Sequence, residues 1–315
     1  MSNTMSNTTL RIIVSVIAVP IIIFLVIQGG WPFFLFVEAL ALLTLRELYS
    51  FAAQKGYAPM NVLGYVACGG IGAIIFAENA LTPAVYGFAL IAVVTIFTLL
   101  VLAVELWRNN ATPLVNAATT IFGTMYIAVF MNALVGLRMM FFQSFAQPLM
   151  QASMRSAITS EVSSSAANGY LADAWGIALV MCVFVGIWTC DTTAFFAGKA
   201  FGRHKLFPRV SPNKSWEGAV VGFLASAAAV GAVAHYFLPF LPLVHAASIG
   251  ALVGVVGQIG DLVESLFKRD AGVKDSSNLI PGHGGVFDRF DAVLFAAPVT
   301  YLYVKAYLLF GLVGV

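Results

Sequence analysis

The chain has 315 residues, of which 60% are hydrophobic and only 10% charged, and its mean hydropathy is +0.93. Soluble domains carry about 25% charged residues, so composition excludes a soluble globular protein and points to a polytopic membrane protein. A formal net charge of +2 leaves no basic excess of the kind nucleic-acid binding requires. Cys68, Cys182 and Cys190 are odd in number, far apart and set in apolar runs. They read as free buried thiols, neither a disulfide frame nor a metal set.

The polar start, MSNTMSNTT, carries a small internal duplication and is expected to be a disordered tail. The apolar run that follows, to Ile27, lacks a small-residue cleavage site, and Gln28-Gly-Gly-Trp-Pro leads straight into another apolar run. A retained helix is therefore expected, not a cleaved signal. Nine segments are long enough to cross the bilayer: 10–27, 31–48, 61–77, 83–105, 114–139, 174–197, 216–238, 243–267 and 290–311. Each must satisfy its own backbone hydrogen bonds in lipid and is expected to be helical, which makes the fold class all-α. Trp31, Trp107, Trp175 and Trp216 flank these spans, as an interfacial aromatic belt would.

Charge tests the count. With the N-terminus in the cytoplasm, the inner segments hold Arg11, Arg46, Lys55, Arg108, Lys199, Arg203, Lys205, Arg209, Lys214, Lys268, Arg269, Lys274 and Arg289. Only Arg138 and Arg155 fall outside, and Lys305 lies within the last span. That asymmetry obeys the positive-inside rule; removing one helix before residue 174 would reverse it. The expected protein thus lies in the inner cell membrane with an extracytoplasmic C-terminus. Three parts are expected: N-terminal transmembrane helices at 1–140, an extracytoplasmic loop at 141–173 rich in Ser, Ala and Gln, and a C-terminal catalytic transmembrane domain at 174–315.

Polar residues concentrate in two inner loops, 199–217 and 268–291, which hold 14 of the 30 charged residues. Asp261 and Glu264 are three apart on one helix end, and Asp288 and Asp291 repeat the spacing at the start of the next. On a helix this stacks two carboxylates on one face. An oxygen-rich site of this kind suits Mg²⁺, and two cations bridged by such pairs would stabilise attacking and leaving oxygens in phosphoryl chemistry. The plainer alternative is that these acids pair with Lys268, Arg269, Lys274 and Arg289 at the water interface. Between the pairs, Gly284 and Gly285 would let backbone N–H groups approach an anion at the start of a helix near Val286. His283 is open to phosphate contact, proton transfer or capping of the turn.

In the first basic loop, Ser211-Pro212 has the form of a helix N-cap followed by Pro at the first helical position. Lys214 would then lie in the first turn, where an ammonium and free N–H groups suit phosphates. Asp191 is an acid late in an apolar helix, which marks it as a functional candidate or a partner of Lys199 or Arg203. His235 and His245 read as interfacial residues, and Glu38, Glu78 and Glu105 belong to no partnered motif.

The stretch from Ser265 to Asp291 resembles the signature of the phosphatidate cytidylyltransferases, also called CDP-diacylglycerol synthases. It is met by Ser265, Phe267, Lys268, Arg269, Lys274, Asp275, Ser277, Ile280, Pro281, His283, Gly284, Gly285, Val286, Asp288, Arg289, Phe290 and Asp291. The upstream DTTAFFAGKAFGRHKLFPRVSPNKSWEG is similar to the family's second block, with Ser215 where threonine is more usual. The loop at 140–173 is longer than the family leads one to expect. The resemblance implies transfer of CMP from CTP to phosphatidate, with pyrophosphate released and Mg²⁺ required. It also implies metal binding by Asp261, Glu264, Asp288, Asp291 and Asp191. Substrate phosphates would meet Ser211, Lys214, Lys268, Arg269, Lys274, Gly284, Gly285 and Arg289, and the reacting centre would comprise Asp261, Asp288, Asp291, His283 and Lys268. The implied partners are CTP, phosphatidate, the bilayer and a second copy of the chain. A CTP-dependent polyprenol or phytol kinase, which would release CDP, is the nearer alternative. An ion-coupled transporter is the more distant one, because the acids gather at one interface and no inverted repeat shows.

Overall fold

A computed structural model describes residues 7–144 and 165–311. Residues 145–164, the greater part of the expected extracytoplasmic loop, lie outside the described residues, as does most of the polar start. In chain order the elements are α1 (Asn7–Gln28), α2 (Gly30–Gln54), α3 (Asn61–Phe76), α4 (Pro83–Arg108), α5 (Pro113–Ser144) and α6 (Ser165–Phe201). A hairpin of β1 (Lys205–Phe207) and β2 (Ser211–Ser215) follows, then α7 (Trp216–Phe237), α8 (Leu243–Asp270) and α9 (Phe287–Ala306).

Each of the nine expected apolar segments falls on one of these helices. Seven are long and apolar enough to cross a membrane: Asn61–Ala80, Pro83–Arg108, Pro113–Phe141, Asp173–Phe201, Trp216–Phe237, Leu243–Asp270 and Phe287–Phe310. Of the other two, α1 offers a shorter apolar stretch, Ile12–Gln28, and α2 carries Glu38, Arg46 and Glu47. The protein is an all-α polytopic membrane protein, with one small hairpin among the described residues.

The chain divides into two compact units, Met1–Asn132 with Glu264–Asp291, and Ala133–Val263 with Ala292–Val315. The first therefore contains the signature segment as well as the N-terminal helices. Its packing turns on close approach: the ring of Tyr49 fills the space beside Gly64 and Gly123, where a Cβ on Gly123 would sit 2.8 Å from the ring. The Tyr49 hydroxyl donates to the Thr120 carbonyl at 2.9 Å and lies 2.7 Å from Thr124 Oγ1. Glu105, unassigned from sequence, has a structural place. It accepts from Asn116 Nδ2 at 3.0 Å and from Arg108 Nη1 at 3.2 Å, while Asn116 and Arg108 also bond the backbone of Ala58. Buried polar groups in an apolar surrounding require such partners.

In the second unit small residues bring backbones together, as is common between membrane helices. Gly222 faces the carbonyl of Cys190, Gly254 lies against Phe223, and Ser226 Oγ donates to the Gly250 carbonyl at 2.7 Å. The hairpin pairs Lys205 with Ser215 and Phe207 with Ser211 in antiparallel register. It corrects the expected N-cap: Ser211 begins a strand, Lys214 lies on that strand, and Ser215 caps α7, its Oγ accepting from Gly218 N–H at 3.2 Å. Pairing with β1 extends the backbone through Pro212, which local capping rules alone place in a helix.

Candidate functional site

In the first unit, α8 ends at Asp270, an irregular loop follows, and α9 begins at Phe287. The first turn of any helix leaves N–H groups without intrahelical partners. Here they meet carboxylates of the chain. Val286 N–H donates to Glu47 Oε1 at 3.0 Å, Phe287 N–H to Glu47 Oε2 at 2.7 Å, and Gly285 N–H to Asp288 Oδ2 at 2.8 Å. The N–H groups expected to face a substrate phosphate are thus bonded within the chain. The positive end of α9 is filled internally, because Gly285, Val286 and Phe287 are buried with a glutamate from α2.

Asp288 is enclosed as well. Its Oδ2 also lies 2.8 Å from both the N–H and the hydroxyl of Ser276, and its Oδ1 lies 2.7 Å from Lys268 Nζ. The Lys268 ammonium reaches Glu264 Oε2 at 2.6 Å, one helical turn back along α8. One cation thus touches two buried carboxylates. Gly284 sits at φ +80°, where a side chain is strained, and a Cβ there would lie 2.6 Å from Asp288 Oδ2. That conformation brings the Gly284 carbonyl to Ile280 N–H at 2.8 Å, while Gly282, at φ +74°, closes the turn in which His283 N–H bonds the Ile280 carbonyl at 2.9 Å. The His283 ring is half-buried, its Nε2 3.4 Å from Ser15 Oγ.

Glu264 and Asp291 offer carboxylate oxygens within 4.8 Å of one another, and Asp261 lies one turn before Glu264 along α8 itself. Asp288 lies outside that group, yet within hydrogen-bonding reach of Glu264. Asp191 is exposed on α6. The acids are therefore not splayed apart, although ammonium groups are interleaved with them. Arg269, Lys274 and Arg289 are exposed beside the loop. In the second unit, Lys214 Nζ lies 2.6 Å from Asp261 Oδ2, which joins β2 to α8. Ser211, on the same strand, is half-buried.

Sequence reading missed Glu47 and Ser276, both 5% exposed. The available signal was an acid inside a helix otherwise rich in apolar residues, where an ionisable group needs a purpose. The carboxylate oxygens of Glu264 and Asp291 suit a hard divalent cation, and the exposed guanidinium and ammonium groups suit phosphates.

Known proteins are similar to this chain over most of its length. The model of a family described as the cytidylyltransferase family matches residues 9–307. A phosphatidate cytidylyltransferase of Synechocystis is 30% identical over 308 residues, covering 94% of this chain and 96% of the relative. One of Bacillus subtilis is 30% identical over 305 residues, covering 92% and 95% respectively. One of Pseudomonas aeruginosa is 47% identical over 128 residues, 40% of this chain and 47% of the relative. With a match that runs from the first helix into the last, the chain belongs to the cytidylyltransferase family.

Proposed function

We propose that the chain transfers the CMP moiety of CTP to phosphatidate, giving CDP-diacylglycerol and pyrophosphate. As a family member it is a nucleotidyltransferase of phospholipid synthesis, and full-length relatives named for this reaction favour it over a lipid kinase or a transporter. The observation that carries the reading is the folded signature: grouped carboxylates, an ammonium held between two of them, and exposed cations on one short segment.

The phosphatidate phosphate is already an anion, so no base is needed to generate the nucleophile. Its oxygen forms a bond to the α-phosphorus of CTP, the bond from that phosphorus to the bridging oxygen of the β-phosphate breaks, and pyrophosphate leaves. Bringing two anions together calls for positioning and charge neutralisation. Arg269, Lys274 and Arg289 are placed for phosphates arriving from water, while Lys268 is held inward by Glu264 and Asp288. Lys214, Ser211 and His283 are the remaining candidates for phosphate contact. Asp261, Glu264 and Asp291 would hold Mg²⁺, with Asp288 and Asp191 as the other candidate ligands. The cation would supply charge neutralisation at the phosphates. The excess of Lys and Arg in alternate connections supports a cytoplasmic site in the inner membrane, a cytoplasmic N-terminus and an extracytoplasmic C-terminus.

Purified protein in detergent is expected to release pyrophosphate from CTP only with both phosphatidate and Mg²⁺ present, and Asp291→Asn to abolish that release while the protein remains folded. Release of CDP would move the assignment to a lipid kinase. Full turnover by Asp291→Asn, or after complete chelation of divalent ions, would remove the metal from it.

A further inference from the structure

Glu47 receives two donors on each oxygen. Oε1 lies 2.6 Å from the Ser277 hydroxyl and 3.0 Å from Val286 N, and Oε2 lies 2.8 Å from the Ser276 hydroxyl and 2.7 Å from Phe287 N. Four donors use the acceptor capacity of a carboxylate. All four are neutral groups of one segment, and they flank the turn that carries His283. The positive end of α9 adds favourable charge. Gly285 has room for no side chain, because a Cβ there would lie 2.5 Å from both Glu47 oxygens and collide with Ser276 Oγ.

The contacts continue inward. Ser276 Oγ lies 2.8 Å from Glu47 Oε2 and 2.8 Å from Asp288 Oδ2. One hydroxyl proton serves one of these at a time, while Ser276 N–H holds Asp288 throughout. Asp288 grips Lys268, and Lys268 grips Glu264, which lies beside Asp291. A path of hydrogen bonds and ion pairs thus runs from α2 to the acidic group. We infer that Glu47 is a positioning residue for the nucleotidyl transfer, an inference that rests on the function proposed above. Its carboxylate seats residues 276–287 and so sets the spacing between Lys268 and the acids. The charge pattern requires a carboxylate. A glutamine would offer one acceptor oxygen and turn an NH₂ group toward the N–H of Val286 or Phe287, setting donor against donor.

The test compares Glu47→Gln and Glu47→Asp with the unaltered protein in detergent. Misplacement of reacting groups by about 1 Å costs about 100-fold. Glu47→Gln is therefore expected to lower kcat by roughly 10- to 100-fold while KM for CTP and lipid changes by less than about threefold. Glu47→Asp, which keeps both acceptors, is expected to recover part of the loss. Trypsin supplies a readout that needs no turnover: cleavage after the exposed Arg269 and Lys274 should quicken about tenfold in Glu47→Gln as the loop is freed. Wild-type kcat in Glu47→Gln, or trypsin kinetics unchanged from wild type, would overturn the inference. A purely structural role would lower the folded yield and leave kcat of the folded fraction intact, which also overturns it. If the unaltered protein makes no pyrophosphate, the proposed function fails, and trypsin still decides whether Glu47 seats the loop. If Glu47→Gln does not insert, Ser277→Ala removes one donor at little cost in volume. It is expected to lower kcat several-fold and quicken cleavage; no change in either would refute the role.

Discussion

Replacing Lys268 by methionine keeps the bulk of the side chain and deletes the ammonium between Glu264 and Asp288. The side chains involved are 13%, 1% and 2% exposed in that order, so water can do little to compensate. Asp288 retains the two N–H donors of Ser276 and Gly285. Glu264 loses a contact of 2.6 Å and is left beside Asp288 and Asp291 with no cation to hold its ionised form. The carboxylate oxygens that share the ammonium are at most about 5.3 Å apart. At that separation and an effective dielectric constant of about 20, the repulsion between two ionised carboxylates is about 3 kcal/mol, which the ammonium offsets in the unaltered protein. Breaking a buried pair by removing one partner costs about 3–5 kcal/mol, so the two routes agree. At about 2–4 °C per kcal/mol, the unfolding midpoint in detergent should fall by about 6 °C or more. Adding Glu264→Gln to Lys268→Met removes the stranded charge and should restore about half of the loss, as thermal unfolding of the four proteins would show. A Lys268→Met midpoint equal to wild type, or no recovery in the double variant, would refute the reasoning.

Gly285→Ala drives a methyl group against Glu47 and Ser276; it is expected to cost about 1–3 kcal/mol in thermal unfolding and to lower pyrophosphate release by at least about tenfold. Ser215→Ala removes the acceptor for Gly218 N–H at the start of α7, which should cost about 0.5–2 kcal/mol. Ser211→Ala should leave the midpoint near wild type, because Ser211 caps no helix. Equal midpoints for Ser215→Ala and the unaltered protein would remove the cap.

Membrane class and helix positions were legible in the chain because each is a local property. An apolar run in lipid has one way to satisfy its backbone, and Asp261–Glu264 or Asp288–Asp291 spacing fixes a helix face wherever the helix lies. The start of α9 near Val286 was legible for the same reason. The Ser211 cap failed because strand pairing is not local: Ser211-Pro212 has the form of a helix start until Lys205–Phe207 pairs alongside it. The partners of the helix start were not legible for a related reason, since nothing near Gly285 in sequence announces that Glu47 will lie against it.

By itself, then, the sequence determined that the chain resides in a bilayer and gathers acids and bases on a short polar segment. Tertiary structure alone decided which charges are spent inside the protein. Glu47 and Ser277 are 230 residues apart in the chain and 2.6 Å apart in space, and helical periodicity carries no information across such a distance. Glu264 and Asp291 remain grouped while Asp288 is enclosed by donors, although matched spacing made all four acids look alike. Only packing could break that equivalence, because a carboxylate's role depends on which donors reach it.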